Sequence, residues 1–196
     1  ARSFREDCLP VINGHWEKSE YPLELVRRLG ELDLMTDGLD VPGHESMTAR
    51  GAGLALMEVT RADASMGTVV AVQAGLAMRS IAMLGSEEQR SRYLPAMASC
   101  SLLGAFGLTE PLHGSDSIAL ETTAVRDGDS WVLNGEKKWI GNGASGGVTV
   151  IYARMEDGNV GGFIVPQDAP GYSATVIAGK LSLRAIHQAR SEETRL

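Results

Sequence analysis

The sequence predicts an α+β chain: an all-helical N-terminal domain over residues 1–101, then an antiparallel β-sandwich or barrel over 102–196. Three observations carry that reading. Apolar residues of the first hundred positions recur at helical spacing, ending in the long run Met66–Leu84. After Leu102 the chain becomes short β-prone segments separated by Gly, Asn and Asp. Between the two lies Gly104–Asp116, an apolar run that breaks into a polar loop with Pro and Gly. Small residues there let other atoms approach the backbone, and sites commonly form where two layers meet.

Composition narrows the function classes. Of 196 residues, 43% are hydrophobic and 22% charged, an ordinary globular balance. Net charge is −7, from 18 Lys+Arg against 25 Asp+Glu. No basic run exceeds Arg27-Arg28 or Lys137-Lys138, which argues against nucleic acid, because phosphate neutralisation needs clustered cations. Cys8 and Cys100 lie far apart without metal spacing and read as two buried thiols in a reducing compartment. No metal site is expected. The charges at Arg2, Arg5, Glu6 and Asp7 argue against a signal peptide. No uninterrupted apolar run approaches the ~20 residues of a membrane span. The expectation is a cytoplasmic protein.

The helical elements follow in order. Leu23, Leu25, Val26 and Leu29 share a face, with Pro22 suited to a first turn and Gly30 to a stop. Ser46 is placed to cap a helix reaching about Asp63, with Met47, Leu54, Met57 and Val59 as its apolar face. Residues 65–84, interrupted by Gln73 and Arg79, suit a central helix buried on most sides, and Gly85 a C-cap. Ser86-Glu-Glu-Gln89 is a capping box that starts another helix at once. Pro95 predicts a kink or break within it.

The β segments are Ala119–Val125, Ser130–Leu133, Lys138–Ile140, Val148–Ala153, Gly162–Val165 and Ser173–Ile177. Asn134-Gly135 is the strongest hairpin signal, and Gly141–Gly147 reads as a hairpin loop rather than a phosphate loop, since it lacks Lys-Ser/Thr. Glu110 and Asp63 read as capping or loop carboxylates, and His113 as solvated or structural.

Phe106-Gly-Leu-Thr-Glu-Pro followed by Gly114-Ser-Asp116 resembles the flavin-binding signature of the acyl-CoA dehydrogenases. Leu133-Asn-Gly-Glu-Lys-Lys-Trp-Ile140 resembles their second signature, and Gly85–Arg90 with Tyr93-Leu-Pro95 the helix before the first. Leu183-Arg-Ala185 resembles a later motif of the same domain. The order is the family's, and the nearest branch is the one holding glutaryl-CoA dehydrogenases and a plant short-chain acyl-CoA oxidase. The resemblance implies a helical domain, a β domain and a C-terminal four-helix domain; these 196 residues match the first two. The closing Arg190–Leu196 departs from the strand expected there.

What the resemblance implies for function is FAD-dependent α,β-dehydrogenation of an acyl-CoA to a trans-2-enoyl-CoA. Electrons would pass to an electron-transfer flavoprotein, and the assembly would be a homotetramer. Phe106, Gly107, Leu108 and Thr109 would lie at the isoalloxazine, with Trp139, Ile140 and Gly141 across it. Gly114 would belong to the cofactor site, and Ser115 would contact flavin phosphate or the acyl-CoA. The family's catalytic base is a glutamate beyond the matching motifs, so no catalytic residue is assigned. Many members carry threonine where this chain has Gly141; the plant oxidase shares Trp-Ile-Gly-Asn. Glutaryl-CoA dehydrogenases carry an arginine for the substrate's free carboxylate where this chain has Gly67, followed by Thr68, which implies a monocarboxylic acyl-CoA. An acyl-CoA oxidase and a non-catalytic flavin- or acyl-CoA-binding paralogue remain as alternatives.

Overall fold

The computed structural model describes residues 1–194. Three short helices open the chain: α1 (Arg2–Cys8), α2 (Ile12–Lys18) and α3 (Leu23–Glu31). Phe4 and Cys8 of α1 and Val26 and Leu29 of α3 are buried in one cluster with Met35, Met66 and Val69. Cys8 and Cys100 are free and buried, and burial, the larger cause for each, pushes both thiols up to about 12. Gly30 does not stop α3. A Cβ there would stand 2.4 Å from the Ser99 carbonyl oxygen, so the glycine allows α3 to pack against the end of a later helix.

Thr48, not Ser46, caps α4 (Ala49–Ala62); its hydroxyl accepts from Gly51 N at 3.1 Å. The buried face of α4 is Ala52 and Val59, while Leu54 and Met57 of the predicted face point outward. Asp63 is extended, ending α4 and capping the next helix through Ser65 N at 2.7 Å and Met66 N at 3.1 Å.

A continuous helical run follows: α5 (Ala64–Val70), a π-helical segment (Ala71–Met78) and α6 (Arg79–Leu84). By length and composition alone, its 21 residues are long and apolar enough to cross a membrane. Its burial is one-sided, correcting the expectation of burial on most sides. Ala74, Ala77, Met78 and Ile81 are buried against β-strands and the next helix, whereas Leu76, Met83 and Leu84 are exposed. Gly85 is extended with φ −74°, not left-handed, and α7 (Glu87–Ala98) begins behind it. The capping box is reciprocal: Gln89 N donates to Ser86 Oγ at 3.2 Å and Ser86 N to Gln89 Oε1 at 2.8 Å. Ser86→Ala is expected to cost about 1 kcal/mol, readable as a fall of roughly 2–4 °C in melting temperature. The helix continues through Pro95 without a break. The ring falls in the last turn, where the lost N–H removes a single rung.

The second half is one seven-stranded sheet: β1 (Gly104–Gly107), β2 (Thr123–Asp127), β3 (Ser130–Gly141), β4 (Val148–Met155), β5 (Val160–Pro166), β6 (Tyr172–Val176) and β7 (Gln188–Thr194), ordered β1-β4-β2-β3-β7-β6, with β5 also on β4. It is not wholly antiparallel: β4 runs parallel to both β1 and β2. β4 pairs with β1, β2 and β5 but not with β3, so Gly141–Gly147 joins strands that do not pair and is no hairpin. Asn134-Gly135 is no turn either. Both residues lie inside β3, opposite Thr123 of β2 and Thr194 and Glu193 of β7, and the β2–β3 turn is at Gly128-Asp129. Tertiary packing overrides the local signal: a Cβ at Gly135 would stand 2.4 Å from Thr122 Oγ1. The closing segment is a strand after all. In β7, Ala189, Ser191 and Glu193 face inward and Arg190, Glu192 and Thr194 outward, an alternation hidden because the inward side is partly polar. Arg195 and Leu196 lie outside the described residues.

Candidate functional site

β1 ends at Gly107, and the chain leaves it as a loop through Leu108, Thr109 and Glu110. The C-terminal end of β3 lies beside that loop. Lys138 N donates to Thr109 O at 2.9 Å. At the other end of the pair, Asn142 Nδ2 donates to Gly104 O at 3.1 Å. Residues 104–109 and 138–142 are therefore tied at both ends.

Between those ties β3 is irregular. Its register with β7 shifts between Lys137 and Ile140, and Trp139 is left-handed at φ +65°. A non-glycine residue there costs roughly 1–2 kcal/mol. The distortion turns the indole out to 50% exposure, with the Lys138 ammonium 5.6 Å from the ring centroid, while Ile140 stays buried at 2%. Backbone strain of this kind clusters at functional sites, which makes the outward-turned indole a candidate binding element.

Phe106 is half-buried against Tyr152, ring centroids 5.1 Å apart. Gly107 is buried; Leu108 and Thr109 are half-buried, and the Thr109 hydroxyl has no hydrogen-bond partner among the described residues. Gly141 is buried, and a Cβ there would stand 3.0 Å from Val72 of the π-helical segment. Gly114 and Ser115 lie on the exposed turn beyond the loop. Gly67 and Thr68 are not linked to either loop by any hydrogen bond or ring contact among the described residues. Gly67 packs on α4, where a Cβ would stand 2.2 Å from Thr60 Oγ1, and the Thr68 hydroxyl donates back to Ala64 O at 2.9 Å.

The loop is locked from beneath by a buried ion pair. Lys137 Nζ donates to Glu110 Oε1 at 2.7 Å, with side-chain exposures of 0% and 4%. Glu110 also accepts from Glu121 N at 2.6 Å, Thr122 N at 2.9 Å and the Thr122 hydroxyl at 2.5 Å. Burial opposes ionisation of Glu110, but these donors together outweigh it and hold the carboxyl down to about 2. Burial lowers Lys137, against the pull of Glu110. His113 Nε2 sits 3.2 Å from Glu121, and with Glu110 they form a cluster within 4.8 Å. The oxygens of Glu110 are already engaged, so the cluster reads as loop fixation.

Two family models match in register with these halves: the acyl-CoA dehydrogenase N-terminal domain over residues 1–101 and the middle domain over 105–193. The chain belongs to the acyl-CoA dehydrogenase family. A glutaryl-CoA dehydrogenase from Mycobacterium smegmatis, solved in complex with FADH2, superposes with a TM-score of 0.96 at 38% identity, covering 100% of this chain and 50% of that one. The mitochondrial short-chain specific acyl-CoA dehydrogenase of Rattus norvegicus is 35% identical over 94% of this chain and 46% of its own length. An acyl-CoA dehydrogenase of Bacillus subtilis is 34% identical over 91% of this chain and 48% of its own. The chain thus spans about half the length of the curated relatives it matches.

Within this family framework, sequence reading overlooked three residues that build the site: Lys137, Gln73 and Asn142. The signal for Gln73 was present. A lone amide inside an apolar helix needs partners, and burial supplies them only in a specific place. Lys137 and Asn142 flank Trp139–Gly141 and gave no such signal, because both read as strand-end or loop polarity.

Proposed function

We propose that residues 106–109 and 139–141 hold the isoalloxazine of FAD in an acyl-CoA dehydrogenase. The observation that supports this most is the strained, half-exposed Trp139 tied beside Thr109. The free hydroxyl of Thr109 suits the flavin's polar edge, Trp139 its ring face, and Leu108, Ile140 and Gly141 its flanks. Gly114 and Ser115, on an exposed turn, suit a phosphate, with Ser115 shared with the acyl-CoA. The two buried, unpaired thiols suit a cytoplasmic setting. Bound FAD supplies the hydride acceptor; the protein supplies orientation and exclusion of water.

The substrate reading is a monocarboxylic acyl-CoA, oxidised to its trans-2-enoyl thioester, with an electron-transfer flavoprotein as acceptor and a homotetramer as the assembly. The α-proton is assigned to none of these 196 residues. Gly67 offers no cation for a second carboxylate. Arg79, the first cation along the helical run, is already paired with Asp37 at 2.8 Å. Anaerobic titration of the complete polypeptide with butyryl-CoA is expected to bleach its flavin band, and glutaryl-CoA to turn over at least ~10-fold more slowly, as a buried carboxylate without its cation requires. Equal turnover of glutaryl-CoA overturns the substrate reading, and absence of bound flavin the cofactor reading. Gly141, where a hydroxyl is absent, favours one second reading, an acyl-CoA oxidase; peroxide formed in air without added acceptor identifies it. A purified protein that binds flavin without bleaching by any acyl-CoA is instead a non-catalytic paralogue.

A further inference from the structure

Gly104, the first residue of β1, has both of its peptide groups taken by buried side chains from opposite directions. Its N–H donates to Gln73 Oε1 at 2.6 Å, and its carbonyl accepts from Asn142 Nδ2 at 3.1 Å. Each side chain is fully buried and anchored elsewhere. Gln73 Nε2 donates to Met97 O and Leu102 O, both at 2.9 Å, tying the π-helical segment to the end of α7. Asn142 Oδ1 accepts from the Tyr21 hydroxyl at 2.8 Å, and Asn142 O from Gln167 Nε2 at 2.8 Å. The carbonyl of Gly104 can only accept, which fixes the Asn142 amide orientation. The backbone of Gly104 is packed closely: a Cβ there would stand 2.3 Å from Met97 Cε and 3.0 Å from Ala77 Cβ.

We propose that Gln73 and Asn142, acting through the Gly104 peptide, are positioning residues that set Phe106–Thr109 against Trp139–Gly141, with Tyr21 coupling that register to the N-terminal helices. The inference rests on the flavin reading of those two segments. Asn142 follows Gly141 directly, and Gly104 stands two residues before Phe106. The amide bond is therefore the root tie of the pair, and Lys138 N to Thr109 O is the tip tie. With the root loosened, the strained turn at Trp139 is held from one end only. Asn142 is itself left-handed at φ +60°, a conformation that glycine adopts freely. The backbone of this position needs only glycine; the asparagine side chain is there for its amide.

Asn142→Gly therefore removes the amide and keeps the backbone. In the complete FAD-loaded protein it is expected to weaken FAD binding about tenfold, because the cost of ordering the two segments, otherwise met within the fold by these two hydrogen bonds, then falls on binding. It should also shift the flavin absorption band and midpoint potential. Tyr21→Phe removes a single hydroxyl, leaves the buried Asn142 Oδ1 without that donor, and is expected to weaken FAD about 2–5-fold and to lower the melting temperature by a few degrees. Val59→Ala, buried in α4, serves as the control for general destabilisation. Native FAD affinity, band position and potential in Asn142→Gly, or the same FAD loss in Val59→Ala at matched melting temperature, overturns the positioning role. Native FAD affinity in Tyr21→Phe overturns the coupling to the helices. Wild-type protein that binds no FAD overturns the flavin reading, and the inference with it.

Discussion

Replacing Lys137 by methionine is expected to destabilise the fold by about 3–5 kcal/mol, the range for removing one partner of a buried ion pair. The ammonium is wholly buried and bonds both Glu110 Oε1 at 2.7 Å and Leu108 O at 3.3 Å. Methionine fills the volume but leaves the Glu110 carboxylate without its cation, and the buried Glu193 loses the favourable charge of Lys137. At roughly 2–4 °C per kcal/mol, the melting temperature should fall by about 6–20 °C. Glu110→Gln/Lys137→Met should recover part of that loss, because no uncompensated charge then remains at position 110. The loss has a sign in pH. Glu110 is held down to about 2, so its stabilisation is complete above its ordinary value of 4.5 and is lost as pH falls through 2. In Lys137→Met that acid limb should move upward, because the charged donor is gone. A melting temperature within 2 °C of wild type would show that the pair carries no net weight. The consequence for function is local, since Glu110 anchors the loop bearing Leu108 and Thr109 and Lys137 precedes the Trp139 bulge.

The two-part architecture was legible because helical and strand periodicities differ and because four motifs stand in order. The capping box at Ser86–Gln89 and the cap at Asp63 followed from local chemistry alone and occur as read. What failed were local signals that long-range packing overruled. Asn134-Gly135 has turn chemistry, yet Gly135 is needed where β3 crosses Thr122. Gly30 looked like a helix stop and is a contact with Ser99. β7 was missed because its inward positions include Ser191 and Glu193, which bury polarity beside Lys137 instead of apolar surface. Of the proposed site, the motifs name the loop residues, but the amides and the ammonium that hold those loops leave no local sign. Their partners lie 24 to 121 positions away, beyond any local pattern.

Glu193 should make the folded chain less stable as pH rises through the weakly acidic range, opposite to the effect of Glu110. The residue is 1% exposed; Oε1 accepts from Ser191 Oγ at 2.8 Å, and Oε2 has no hydrogen-bond partner among the described residues. Burial raises its carboxyl, Ser191 and the Lys137 ammonium offset this in part, and the charges of Glu110 and Glu136 raise it further, to about 7. Tyr172, opposite it on β6, adds no positive charge. Below the ordinary value of 4.5 the group is protonated in both folded and unfolded chains and contributes no pH dependence. Between 4.5 and about 7 the unfolded chain releases the proton and the folded chain keeps it, so stability falls with pH; above 7 the loss is complete, about 3 kcal/mol. Glu193→Gln mimics the protonated carboxyl at every pH. Its melting temperature should match wild type near pH 4.5 and exceed it by several degrees at pH 8. Parallel pH curves for the two proteins would mean that Glu193 ionises at its ordinary value and that the unpartnered oxygen finds relief elsewhere. The same buried patch thus sets both limbs of the stability profile: Lys137 and three further donors satisfy Glu110, while Lys137 and Ser191 offset the burial of Glu193 only in part. One ammonium shared between two buried carboxylates can hold only one of them ionised at neutral pH without cost.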